Sequence, residues 1–270
     1  MSSQTRGPDG LNLLEESQME NAVREVRRIS ERHPSPPESW DQRIHIARRA
    51  ITTFDSTGFM QMPNRTSDRI LVISSLQRLA YYEADSAGIT DIAEWCMNQW
   101  LSLLQRNAED LNALRGLGQA WLARSQNVLA RIHRTEGSSS SGSSGRPQSM
   151  SDRFSYTSAE EARDAERAAA EADARAHTAD YVEARGMLIP AVDYFSRAID
   201  VAERDGGLTG ELLCEAAEAN MSLGNVSYSH QNEQHFHRAI RYLRRASQIP
   251  GYRLSPYLQS YLDDYGRLVD

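Results

Sequence analysis

Apolar side chains recur at steps of three to five residues along most of this chain, the spacing of one buried face of an α-helix. Leu14, Met19, Val23, Val26 and Ile29 mark a first helix over residues 11–32. His33-Pro34-Ser35-Pro36-Pro37 stops it, because successive prolines remove backbone donors and push the residues before them out of the helical region. A second helix begins near Ser39 and carries Trp40, Ile44, Ala47, Ala50, Ile51 and Phe54, with a loop following around Gly58 and Pro63. Residues 67–84 predict a third through Ile70, Ile73, Leu76, Leu79 and Ala80, broken by Asp85-Ser86-Ala87-Gly88. Residues 91–105 predict a fourth, with Ile92, Trp95, Cys96, Trp100, Leu103 and Leu104 facing inward. After a turn at 107–110, a fifth spans 111–134 through Leu114, Leu117, Gly118, Trp121 and Val128.

Residues 137–145 are wholly Ser and Gly, and the polar run continues to Ser151. Such a stretch has no apolar surface to bury and predicts a flexible loop. Ser158 with Glu161 has the form of a capping box, opening an Ala-rich helix that reaches about Arg185. Pro190 then falls where the first turn of a new helix tolerates it, ahead of Ala191, Phe195, Ala198 and Val201. Asp205-Gly206-Gly207 ends that helix. Two more follow over 208–225 and 233–249, the second stopped by Pro250-Gly251. Ser255 caps a last helix with Pro256 at its first position. No strand competes, so the expected fold is all-α. The expected organisation is a disordered start (1–10), a helical pair (11–66), a helical region (67–136), a Ser/Gly-rich loop (137–156) and a second helical region (157–270).

Composition adds three points. No apolar run nears the roughly 20 residues that span a bilayer, and the polar first ten residues carry no visible leader, so cytoplasm or nucleus is expected. Cys96 and Cys214 sit among apolar neighbours in predicted helices, as buried free thiols do. A net charge of −7 and an isoelectric point near 5.6 argue against general binding to nucleic acid or an anionic membrane. Within that charge one thing is unusual: all 30 basic residues are arginine and none is lysine. Codon usage in a GC-rich genome is one explanation. The other is selection against an acceptor for ubiquitin, since arginine keeps the charge without the amine.

The predicted helices form pairs that resemble one another. Leu76, Leu79 and Ala80 match Leu114, Leu117 and Gly118 at an offset of about 38 residues, near the tetratricopeptide (TPR) period. Leu117-Gly118 with Trp121, and less fully Leu223-Gly224, are similar to the first helix of a TPR unit. Ala191, Phe195 and Ala198, and Ala239, Leu243 and Ala246 with Pro250, are similar to the second. The resemblance covers residues 67–250. It departs from the family in its irregular period, its Ser/Gly interruption and Glu83 where an aromatic is expected. The resemblance implies an α-solenoid of stacked antiparallel pairs, closed by a C-terminal capping helix, whose extended surface binds other proteins.

Catalytic spacings are missing: no C-x-x-C, H-E-x-x-H, P-loop or dinucleotide glycine pattern occurs. His235 and His237 stand at i and i+2, which point to different sides of a helix. No enzyme activity, cofactor or metal is therefore expected. Arg238, Arg241, Arg244 and Arg245 fall on one side of a helix and could hold a partner's carboxylates or phosphates by bidentate hydrogen bonds, or simply form a solvated face. Arg24, Arg27, Arg28 and Arg32 form a similar ridge. The candidate partner-binding residues are Arg115, Gln119, Asn220 and the four arginines from Arg238 to Arg245. The expected function is a non-catalytic scaffold or adaptor binding a helix or peptide of a partner protein, which could be acidic or phosphorylated, within a larger complex. The alternative is a non-catalytic subunit or substrate adaptor of ubiquitin or proteasome machinery.

Overall fold

The computed structural model describes residues 13–31, 39–83, 88–140 and 158–269. Every regular element among them is helical. The α-helices are α1 (Leu13–Ile29), α2 (Trp40–Thr57), α3 (Thr66–Ala80), α4 (Thr90–Arg106) and α5 (Leu111–Ser140), then α6 (Ser158–Ala176), α7 (Ala179–Arg204), α8 (Gly210–Val226), α9 (Ser229–Ser247) and α10 (Pro256–Tyr265). Three short 3-10 turns cover Phe59–Gln61, Pro63–Arg65 and Gly266–Leu268. No described helix is long and apolar enough to cross a membrane. The chain divides into two compact units, residues 1–120 and 121–270, with the division inside α5. The expected disordered start at 1–10, the break at Asp85-Ser86-Ala87 and residues 141–156 of the expected loop lie outside the described residues.

In the first unit α1 packs on α2 and α3, and α3 packs on α4. Ser39 caps α2 with a reciprocal capping box to Gln42, which satisfies donors left open at a helix start. A buried polar lock joins three helices. The Trp100 indole donates to Gln77 Oε1 at 2.8 Å, and Gln77 Nε2 donates to the Gly116 carbonyl at 2.9 Å. The lock needs glycine at 116, because a Cβ there would lie 2.4 Å from the Trp100 ring. Where a loop is expected around Gly58 and Pro63, the two 3-10 turns bury Phe59, Met60 and Met62. Arg69, 4% exposed, pins this segment by donating to the Met60 carbonyl at 2.8 Å and the Thr66 hydroxyl at 2.9 Å.

In the second unit α8 packs between α7 and α9. Arg185, early in α7, reaches the Val226 carbonyl at the end of α8. Glu203, late in α7, pairs with Arg245, late in α9. So α7 and α9 run parallel to each other and antiparallel to α8. Ala191, Phe195 and Ala198 on α7 and Ala239, Leu243 and Ala246 on α9 are all fully buried. Small residues let the backbones approach and the large one fills the space between them. Gly224 serves the same end, since a Cβ there would lie 2.9 Å from the Phe236 ring. The α10 segment closes on α9 through Arg244, which donates to the carbonyls of Gly266 and Val269 at 2.6 and 2.5 Å.

Three expected boundaries move. The Ala-rich helix ends at Ala176 rather than near Arg185, because His177 and Thr178 break it and Thr178 takes extended backbone (φ −70°, ψ 155°). Thr178 followed by Asp180 in the next turn is a helix-start signal that apolar spacing alone passes over. Pro190 accordingly lies inside α7, not at the start of a new helix. The missing donor would have met the carbonyl of Gly186, an exposed residue with nothing within 4 Å of a Cβ position, so water has access there. Third, α5 runs on to Ser140, four residues into the expected Ser/Gly loop. The capping box expected at Ser158 and Glu161 falls on side chains outside the described set.

Candidate partner-binding groove

An open groove of about 410 Å³ runs over α8 between α7 and α9. One stripe of α7 lines it, with Arg185, Ile189, Val192 and Ser196 spaced at three to four residues. Asp193 of α7, which pairs with Arg197 at 3.8 Å, Leu223 of α8, Ser227 just past its end, and Gln231, Gln234, His235 and Arg238 of α9 complete it. Val192 and Leu223 form a floor at 8% and 4% exposure, whereas Ile189 is 56% exposed. An isoleucine left that open beside a concave surface offers apolar area that a ligand can remove from water.

The groove's wall is set by a junction of four helix ends. Arg185 donates to the carbonyls of Val226 and Ala176 at 2.6 Å each, so one guanidinium satisfies the C-termini of α8 and α6 together. Its plane lies over the Tyr228 ring. Asp173 of α6 accepts from the Ser229 amide at 2.7 Å and from its hydroxyl at 3.1 Å, closing the start of α9. The Ser229 amide bond holds the Asp173 carboxyl below its usual range.

Along the α9 wall the electrostatics are uneven. His235 Nδ1 is buried without a hydrogen-bond partner. Burial, and secondarily the Arg238 charge, lower its pKa and favour the neutral ring. Arg238 itself is exposed and makes no ion pair or hydrogen bond among the described residues, and the same holds for Arg241 one turn on. His237 points elsewhere and pairs with Glu233 at 3.5 Å, as the i, i+2 spacing predicts.

The expected site residues separate. Arg238 lines the groove and Arg241 follows on the same helix. Arg244 is committed to the C-terminal turn, and Arg245 to Glu203, so the four arginines are not one free ridge. Asn220 is 1% exposed, with its amide donating to the Ala216 carbonyl at 2.8 Å, and offers nothing to a peptide at the surface. Arg115 and Gln119 are half-buried on α5 in the first unit. Sequence reasoning missed Ile189, Gln231, Gln234 and His235. Ile189 had a signal, an isoleucine one turn past Arg185 on the helix's polar side.

A second groove, of about 660 Å³, lies between α1 and α2 and includes Arg24 and Arg28 of the N-terminal ridge. Its lining is polar apart from Ala22 and Ala50, and Glu25 is already paired with Arg49 at 2.7 Å. It offers a partner little apolar area to bury.

Reactive groups are sparse. Cys96 and Cys214 are free, buried thiols, and burial raises the pKa of both. No group of three or more His, Cys, Asp or Glu among the described residues is placed to hold a metal. Comparison with protein families, curated proteins and solved structures returned no match.

Proposed function

We propose that this chain is a non-catalytic scaffold or adaptor that holds a segment of a partner protein in the α7–α8–α9 groove. One observation carries the reading: the uncovered Ile189 and the unpaired Arg238 flank the same concave surface. An apolar side chain of the partner would cover Ile189, and a carboxylate or phosphoryl group would meet Arg238, with Arg241 reinforcing it. The groove's glutamine amides can donate and accept along a backbone. The buried small–large–small sets of α7 and α9 support TPR-like stacking as the scaffold that keeps this surface rigid.

Charge reversal tests it. Arg238→Glu with Arg241→Glu should abolish capture of the acidic partner in affinity purification while the thermal unfolding midpoint stays put, since neither guanidinium holds the fold. An unchanged set of captured partners overturns the reading.

A further inference from the structure

The structure sorts the arginines into two kinds. Some require a guanidinium. Arg69 spans the Met60 carbonyl and the Thr66 hydroxyl, and Arg185 spans two helix C-termini, each through two different nitrogens. A planar fork with five donors reaches such paired acceptors, and a single ammonium does not. Others make no such demand. Arg24, Arg253 and Arg267 are exposed and make no hydrogen bond or ion pair among the described residues. A lysine would serve equally there, because an exposed cation contributes little to stability. Yet these positions too are arginine, as are all 30 basic positions.

Codon composition does not account for the pattern. Lysine and asparagine codons share their first two bases, so a drift to G and C that emptied the chain of lysine would drain asparagine as well. Isoleucine and tyrosine codons are similarly rich in A and T. The chain keeps 10 Asn, 13 Ile and 11 Tyr. Beside that asparagine content, on the order of ten lysines would be expected in an ordinary chain. What the chain lacks is the side-chain amine.

We propose that this chain works beside an enzyme that carries ubiquitin as a thioester, and that its surface is kept free of side-chain amines so that it is not an acceptor. In the avoided reaction a deprotonated lysine amine attacks the thioester carbonyl. The N–C bond forms, the C–S bond breaks, the amine's proton passes to a base and the thiolate departs. A guanidinium stays protonated and its nitrogens are delocalised, so it supplies no such nucleophile. The inference stands on composition and on the unconstrained surface arginines, independently of the groove.

The test is a triple variant, Arg24→Lys, Arg253→Lys and Arg267→Lys, at native expression level in the source organism, with a lysine-free epitope. The matched control is Arg→Gln at the same positions. After translation is blocked, the lysine variant should be lost at least threefold faster than the parent. It should carry ubiquitin at the new lysines, and proteasome inhibition should restore its lifetime; the glutamine variant should match the parent. Should the triple variant unfold at a lower temperature than the parent, Arg253→Lys alone carries the comparison. A lysine variant with the parent's lifetime and no ubiquitin conjugates, or one that is acetylated but not ubiquitinated, overturns the proposal.

Discussion

The guanidinium of Arg185 lies 4.7 Å from the centre of the Tyr228 ring while it donates to the last carbonyls of α6 and α8. Cation, ring and two helix C-termini thus meet at one point, beside the turn that joins α8 to α9. Removing it should act on stability and on the groove together. Arg185→Ala should lower the unfolding free energy by about 1.5–3 kcal/mol, the range for hydrogen bonds to a charged group. Arg185→Lys should recover only part of this, because an ammonium cannot span both carbonyls. Denaturant unfolding of the three proteins checks the order.

Asp173 closes the other side of that junction, and its titration gives a pH signature. Its folded pKa lies below the ordinary 3.8, so the stabilisation is complete above that value and is lost as pH falls through the folded one. Asp173→Asn should flatten the acid limb of the stability curve below 3.8. Thermal melts at a series of acid pH values, parent against variant, measure the difference.

The polar lock of the first unit makes a steric prediction. Gly116→Ala places a methyl 2.4 Å from the Trp100 ring, which is itself held by Gln77 and cannot swing away cheaply. Overpacking of this kind costs about 1–3 kcal/mol. Trp100→Phe in the same chain should relieve part of the clash while losing the indole donor. A non-additive double-mutant cycle is the expected reading, and strict additivity would count against the lock.

Much of this architecture is legible in the apolar spacing. Most helices begin and end within a few residues of their expected positions, because one buried stripe per helix is what the chain's pattern encodes. The misses share a cause. Phe59, Met60 and Met62 are buried by 3-10 turns, which have no 3.6-residue signature. Gly116 makes a close approach to the Trp100 ring, a contact between helices that the sequence pattern does not single out. Arg244 and Arg245 read as partner-binding or solvated charges, yet each is committed to a group 22 to 42 residues away in sequence. Arginine composition could not separate these from Arg238, which is free.

The central claim is that the α7–α8–α9 groove holds a partner segment, and a photo-crosslinking residue placed at Ile189 tests it most directly. The account predicts a crosslink to one acidic or phosphorylated segment, lost when Arg238→Glu is added and retained when Arg24→Glu is added instead. A crosslink that survives Arg238→Glu, or none at all in cells where the chain is present at its native level, would contradict it.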